Sequence, residues 1–490
     1  MDLIGSLGAG DMSESAYDTA WVARVPAAAA EPDAPRYPAA YDWLLRNQLT
    51  DGSWGGAIPS AHDRVVTTLA ALLTLQHTTY RRTESEPAIR RAIIYLNREG
   101  GKVRDDPDQT VGFELVLPEM VREAQALGLR LPYADWEFVE QIRADKLRRI
   151  PPVAIYGGPT PLTHSLEYLG QHLVLPLASR CRLPNGSYGV SPSTTAYVCL
   201  QVADAPAMAY LDRVTRLKPS GGVPYVHPFD VFETAWVAHL LGALANDHDR
   251  LPAMLDGLEK ALTPLGAAWT VESSVTDADD TAVAVAVLTD HGRTCDTSVF
   301  ELFETSEYFQ TFAYERDASV TTNAHVLMAL RKYPSTPEQR RMILKIMQFL
   351  RTSRHPDGYW HDKWHISPYY ATDQVVEALS GVATDLIRPA VGWVMAAQQE
   401  NGAWGFGDGT QEETAWAMHT LLVAGDHDPG VRALANASID RGVEYLFDHF
   451  GDQSYPSLWI GKSAYTPPNI VRAVILGVLS EGLRRAEGGR

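Results

Sequence analysis

Three carboxylates crowd into four positions at Asp277-Ala278-Asp279-Asp280. A small apolar run, Thr281-Ala-Val-Ala-Val-Ala-Val-Leu288, follows with no charged residue before Asp290. Carboxylates this close do not all ionise cheaply, because like charge and partial burial both favour the protonated form, so at least one proton is held firmly. A carboxylic acid of that kind, aimed into an apolar cavity, is a Brønsted acid. Acidic residues also favour the positive end of a helix dipole, which makes a solvated helix start the ordinary explanation of such a cluster. The frame weighs against it: Trp269 and Thr270 stand just upstream, and the apolar run puts the cluster at the mouth of a buried helix.

The elements that must position this cluster read as helices almost throughout. Apolar residues recur at three and four positions, as in Val65-Val66-Thr-Thr-Leu69-Ala-Ala-Leu72-Leu73 and Thr414-Ala-Trp416-Ala-Met418-His-Thr-Leu421-Leu422, and nothing alternates as strands do. Between helices a turn recurs, at Asn47-Gln48-Leu-Thr-Asp51-Gly52-Ser53-Trp54-Gly55, Asn185-Gly186-Ser187-Tyr188-Gly189, Asp357-Gly358-Tyr-Trp360 and Gln398-Gln-Glu-Asn401-Gly402-Ala403-Trp404-Gly405. Glycine permits the chain reversal and the aromatic ring caps a neighbouring helix end. Helix pairs that cannot bury their faces alone, joined by such turns, predict stacked α-hairpins closed into toroids. Copies at 47–55 and 181–189, then at 357–360 and 398–405, predict two toroids and an all-α fold.

At 490 residues, with 45% hydrophobic and 21% charged, the chain has material for two or three packed domains. Its net charge of −18 argues against nucleic-acid or anionic-membrane binding and requires local cations or a metal ion for any anionic substrate. The N-terminus lacks a basic, apolar signal pattern, and no apolar run reaches the length of a membrane span. Cys181, Cys199 and Cys295 lack metal-ligand spacing, so a reducing cytoplasm is the expected setting.

An all-helical double barrel carrying Asp-Ala-Asp-Asp-Thr-Ala resembles the class II terpene cyclases. The opening Ser15-Ala-Tyr17-Asp18-Thr-Ala-Trp21-Val-Ala23 is similar to the first helix of diterpene cyclases of the copalyl diphosphate synthase type. Further matches follow in family order: Asp63-Arg64, Val111-Gly112-Phe113-Glu114, His164-Ser165-Leu166-Glu167, Ser191-Pro192-Ser193-Thr194, Gly221-Gly222-Val223-Pro224, Asp362-Lys363-Trp364 and Leu458-Trp459-Ile460-Gly461-Lys462. The resemblance implies a γβ didomain with residues 1–30 completing the β barrel, an inserted γ barrel at 31–244 and the β barrel at 245–490. It implies no class I α domain. Asp105-Asp106-Pro-Asp108 lacks the spacing of the class I metal motif, so the product keeps its diphosphate. Squalene-hopene-type cyclases share the acidic motif but lack an opening like Ser15 to Ala23.

The resemblance assigns Asp279 as the acid that protonates the terminal alkene of a linear prenyl diphosphate, with Asp277 and Asp280 positioning it. His325 occupies the place from which relatives hydrogen-bond the acid; a core histidine satisfied by backbone is the competing reading. Trp236, Trp269 and Trp459 match aromatic lining positions, where ring faces stabilise a cation by about 0.5–2 kcal/mol each. His164 matches a terminating residue, whereas Tyr225 stands where the family pattern has Asn, which leaves the final skeleton open. Lys462 and Lys363 are candidate diphosphate contacts, and Asp105, Asp106 and Asp108 fall where relatives carry a Mg²⁺-associated acidic motif, although the same residues read equally well as a turn.

The expected activity is cyclisation of geranylgeranyl diphosphate to a bicyclic, ent-copalyl-type diphosphate. Alternatives are a rearranged halimadienyl or clerodienyl diphosphate, drimenyl diphosphate from farnesyl diphosphate, and a non-catalytic helical toroid that binds isoprenoids or another protein.

Overall fold

The computed structural model describes residues 2–488 apart from residues 29, 274 and 335. Helices dominate, and the strands among the described residues form three two-stranded ribbons. Helices Asp230–Leu241, Ala278–Asp290, Val320–Arg331, Pro368–Leu379, Gln411–His427 and Pro468–Gly488 close into a ring, each packed on the next and the last on the first. Helices Leu251–Ala261, Pro337–Thr352, Thr384–Ala396 and Pro429–His449 pack outside it. A second ring joins Ala16–Ala23, Ala61–Gln76, Phe113–Ala126, the 3₁₀ segment Pro161–His172 and Pro192–Gln201. Inner helices such as Ala278–Asp290 are buried nearly all round, whereas Pro337–Thr352 buries only Met342, Ile346 and Leu350 at fourfold spacing. The all-α double barrel read from the sequence is the observed fold.

The recurring turns hold the hairpins. In three of them the indole Nε1 donates to a carbonyl ten residues upstream: Trp54 to Leu44 at 2.8 Å, Trp360 to Leu350 and Trp404 to Val394 at 2.7 Å. Each ring's own backbone N–H donates to a threonine hydroxyl of the next helix, at Thr68, Thr372 and Thr414. Gly402 has φ +88°, and a Cβ there would lie 2.5 Å from the Arg441 carbonyl oxygen, so no other residue fits.

The division between barrels differs from the sequence expectation. Leu3, Ile4, Leu7 and Met12 do pack in the C-terminal barrel. Helix Ala16–Ala23 instead closes the N-terminal ring, with all eight residues buried and Trp21 edge-on to Tyr197 at 5.8 Å. A helix buried on every side needs enclosure on every side, and the gap in that ring supplies it, with Asp18 and Thr19 accepting from Ser193 N and Val223 N. Asp230–Leu241, expected in the γ barrel, packs in the other core, and the two cores change hands between Val223 and Tyr225.

Many of the family motifs meet in one buried polar weld between the barrels. Lys462 Nζ, fully buried, lies 2.7 Å from Glu167 Oε1 and within 3.1 Å of the hydroxyls of Ser191, Ser193 and Thr194. Ser15 meets Ser463 at 2.8 Å, and Asp63 accepts from the Ala464 N–H at 2.7 Å. This corrects the reading of Lys462 as a diphosphate contact. An ammonium has three protons and here four acceptors, so no donor remains for a ligand. Lys462→Ala is expected to lower the melting temperature through a loss of about 3–5 kcal/mol, since it strands a buried carboxylate. Thermal denaturation followed by circular dichroism measures this.

Candidate active site

Helix Ala278–Asp290 begins where Asp277 caps it, its Oδ1 accepting from the Asp280 N–H at 2.7 Å. The cap is clamped from both sides: Asp277 N donates to the Ala267 carbonyl at 3.0 Å and Ala278 N to the Thr311 carbonyl at 3.1 Å. Burial, then the Asp280 charge, hold the Asp277 carboxyl well above the usual carboxylate range. Burial pushes Asp280 up to about 7, against its hydrogen bond with Asp277 and helped by the Asp279 charge. Asp277 Oδ2 and Asp280 Oδ1 are buried with no hydrogen-bond partner among the described residues. Both flanking carboxyls therefore hold a proton more firmly than an ordinary carboxylic acid, as the crowding implies.

Asp279 has a different partner. Its Oδ1 lies 2.7 Å from His325 Nδ1, and His325 Nε2 lies 2.7 Å from Gln374 Oε1. The Gln374 amide is oriented by its NH₂, which donates to Asp373 at 2.9 Å, so its oxygen faces the imidazole. Burial alone lowers the His325 pKa, but the Asp279 charge and hydrogen bonds to Asp279 and Gln374 outweigh it and raise the pKa. Asp373 is in turn held by His419 Nδ1 at 2.9 Å, and Glu377 by His239 at 3.2 Å.

Asp279 lines a cavity bounded by Phe229, Phe232, Trp269, Phe312, Tyr370, Trp459 and Tyr465, with Met12, Tyr225, Asp277 and Asp280 also in its lining. Of the aromatic residues expected there, Trp269 and Trp459 line it. Trp236 does not: it is 2% exposed, stacked behind Phe232 at 4.3 Å and edge-on to His325 at 5.4 Å, so it supports the wall from outside. Phe232, Phe312 and Tyr370 were missed because single aromatics on buried helices and loops look like core.

Tyr225, Trp269, Phe312 and Trp364 also bound a second cavity, which reaches His164 between the barrels. His164 Nδ1 donates to the Gly189 carbonyl at 2.9 Å, and Nε2 is buried with no hydrogen-bond partner among the described residues. Gly189 has φ +59°, and a Cβ there would sit 2.7 Å from His164 Cα. Burial and then the Lys462 charge hold the imidazole pKa well below its ordinary value, leaving a neutral ring with a lone pair on Nε2. Tyr225 packs edge-on to it at 5.0 Å.

Val111 and Trp364 join this cavity to a polar one lined by Asp108, Glu114, Lys146, Glu315, Arg316 and Lys363. Lys363 Nζ lies 2.7 Å from Glu315, and Lys146 pairs with Glu114. Lys146 and Arg316 carried no sequence signal. The acidic triplet does not converge. Asp106 spends one oxygen on Ser60 and the His62 N–H and the other on the Asp108 N–H, Asp105 is exposed, and Asp108 alone faces the cavity. Burial and then the Asp106 charge push Asp108 up to about 7. A single oxygen donor of this kind fits Mg²⁺ shared with phosphate oxygens, and does not fit an all-protein cage; Asp105 and Asp106 are thereby corrected as ligands.

Residues 313–470 match the squalene-hopene cyclase C-terminal domain family. The chain is 34% identical to the type B diterpene cyclase of Mycobacterium tuberculosis across 97% of its own length and 96% of the other's. It is 34% identical to rice ent-copalyl diphosphate synthase 1 over 77% of this chain, but spans only 45% of that longer protein. In structure it resembles the ent-copalyl diphosphate synthase of Streptomyces platensis, with TM-score 0.78, 29% identity and 96% of each chain covered. It also resembles the Arabidopsis thaliana enzyme in complex with (S)-15-aza-14,15-dihydrogeranylgeranyl thiolodiphosphate, with TM-score 0.71, 26% identity, 97% of this chain and 61% of that one. Among the described residues no helix is long and apolar enough to cross a membrane.

Proposed function

Because this chain belongs to the class II diterpene cyclases, we propose that it protonates geranylgeranyl diphosphate and cyclises it to a bicyclic copalyl-type diphosphate, of the ent series, with the diphosphate retained. The observation that carries this reading is the Asp279–His325 pair, 2.7 Å apart, with Asp279 lining an aromatic cavity. Asp279 Oδ1 faces the imidazole, which leaves Oδ2 to hand its proton to the terminal alkene. The bond that forms is C–H, and the positive charge moves to the substituted alkene carbon. The imidazolium of His325 steadies the carboxylate left behind, which strengthens the acid. Ring closures then move the charge along a chain held between Phe232, Tyr370, Trp459 and Trp269, whose π faces stabilise it in a dry cavity. His164 Nε2, neutral and unpartnered, removes the last proton and leaves an exocyclic alkene.

Support for the chain length comes from the Arabidopsis relative, which holds a geranylgeranyl analogue. In the polar cavity Lys363, Lys146 and Arg316 would face the diphosphate, and Asp108 would hold Mg²⁺. When bound, the ion offsets the diphosphate charge amid the surrounding carboxylates. Asp108→Ala is expected to raise KM for the prenyl diphosphate and the Mg²⁺ requirement by about tenfold with kcat little changed, the pattern of lost ground-state binding. Steady-state kinetics at varied Mg²⁺ test it.

Tyr225 favours a second outcome. With a phenol ring against His164 and no amide to hold a water, deprotonation is delayed and hydride or methyl shifts give a halimadienyl or clerodienyl skeleton. Incubation with geranylgeranyl and farnesyl diphosphates plus Mg²⁺, dephosphorylation and mass spectrometry of the alcohols separates these outcomes, including drimenyl diphosphate from the C15 substrate. Linear alcohols alone from both substrates overturn the proposal.

A further inference from the structure

The aromatic wall is backed by a carboxylate that the mechanism above does not use. Glu412, in the first turn of Gln411–His427, is fully buried. Its Oε1 accepts from Trp459 Nε1 at 2.7 Å, from His365 Nε2 at 3.1 Å and from Trp416 Nε1 at 3.4 Å, while Oε2 is buried with no hydrogen-bond partner among the described residues. The tautomer of His365 is fixed locally. Its Nδ1 lies 3.0 Å from the Ser367 N–H and 3.2 Å from the Ser367 carbonyl oxygen, and the N–H, a donor only, makes Nδ1 the acceptor. With Nδ1 accepting, Nε2 is the donor toward Glu412. Three N–H donors converge on one oxygen of this side chain. They bring dipoles to it, not a counter-charge.

Two of the rings around this anion form the cavity wall. Trp459 is its closest donor, and Tyr370 stacks on His365 at 4.8 Å and leans on Trp459 at 4.8 Å. An anion on the N–H side of an indole pushes electron density toward the ring face, where a passing cation is felt. We propose that Glu412 is a positioning residue of the cyclisation: a buried negative charge that orients Trp459 and keeps its face electron-rich toward the cyclising cation. The proposal rests on the protonation-initiated reading of the site.

Glu412→Gln keeps the shape and an acceptor oxygen while removing the charge. The expected result is a kcat about tenfold lower with KM within about twofold, and a share of monocyclic, early-deprotonated products. A merely structural role is separated by binding. A bicyclic diphosphate analogue bearing a ring ammonium is expected to bind the Gln protein about tenfold more weakly than wild type, while its uncharged carbon isostere binds both equally. Unchanged kcat and products, or equal weakening of both analogues, overturns the proposal. Should the Gln protein fail to fold, Glu412→Asp carries the test: a retained ammonium preference supports the charge, and its disappearance overturns it. Wild-type enzyme that cyclises neither prenyl diphosphate strikes the underlying reading instead, a distinguishable result.

Discussion

Asp279→Asn is expected to fold with an unchanged melting temperature and to lose cyclisation by about 10³-fold or more, because an amide has no proton acidic enough for an alkene. The side chain is not part of the helix cap, which belongs to Asp277, so the loss reports chemistry and not stability. A variant that cyclises within tenfold of wild type would remove Asp279 from the mechanism. The same geometry fixes the sign of the pH dependence. His325 has a raised pKa, so its imidazolium is present below that value and disappears as pH climbs through it. Asp280, at about 7, likewise holds its proton below neutrality and sheds it above. The first change removes a positive charge beside Asp279 and the second adds a negative one, so kcat is expected to fall on the alkaline side, beginning near neutral pH. A kcat profile flat to pH 9 would contradict this. His325→Ala is expected to lower the plateau and erase the imidazole contribution to that limb.

His164→Ala is expected to alter what is made more than how fast. In the proposed mechanism protonation takes place in the cavity that Asp279 lines, and His164 borders the neighbouring one, so substrate consumption stays within about tenfold. With Nε2 gone, the bicyclic cation persists until a water or a migrating hydride reaches it. Mass spectrometry of the dephosphorylated products should show hydroxylated and rearranged skeletons in place of the wild-type exocyclic alkene. An unaltered product at unaltered yield would place the terminating base elsewhere.

The helical repeat and the Asp-Gly and Asn-Gly turns were legible because they are local: a glycine forced to positive φ and a tryptophan hydrogen-bonded ten residues back leave marks within one hairpin. Asp277 to Asp280 were legible for the same reason, as three charges in one helical turn. Whatever depends on contacts between distant segments was not. Lys462 and Glu167 stand 295 positions apart and look like any lysine and glutamate until the weld brings them together. Gln374, which turns the imidazole of His325 toward the acid, sits on an inner helix whose sequence shows only periodicity. Asp105, Asp106 and Asp108 form a compact acidic string, yet only Asp108 faces the cavity, because backbone N–H groups claim Asp106.

The seam between Val223 and Tyr225 divides the molecule's chemistry as well as its cores. Asp277, Asp279, Asp280, His325 and Gln374 all belong to the C-terminal ring, while His164 and Asp108 lie on the N-terminal side. Under the proposed mechanism, the barrel that starts the reaction is not the barrel that ends it. Changes on the N-terminal side of the seam are free to redirect the outcome while ignition stays intact, so a lineage can diversify its carbon skeletons without rebuilding its acid.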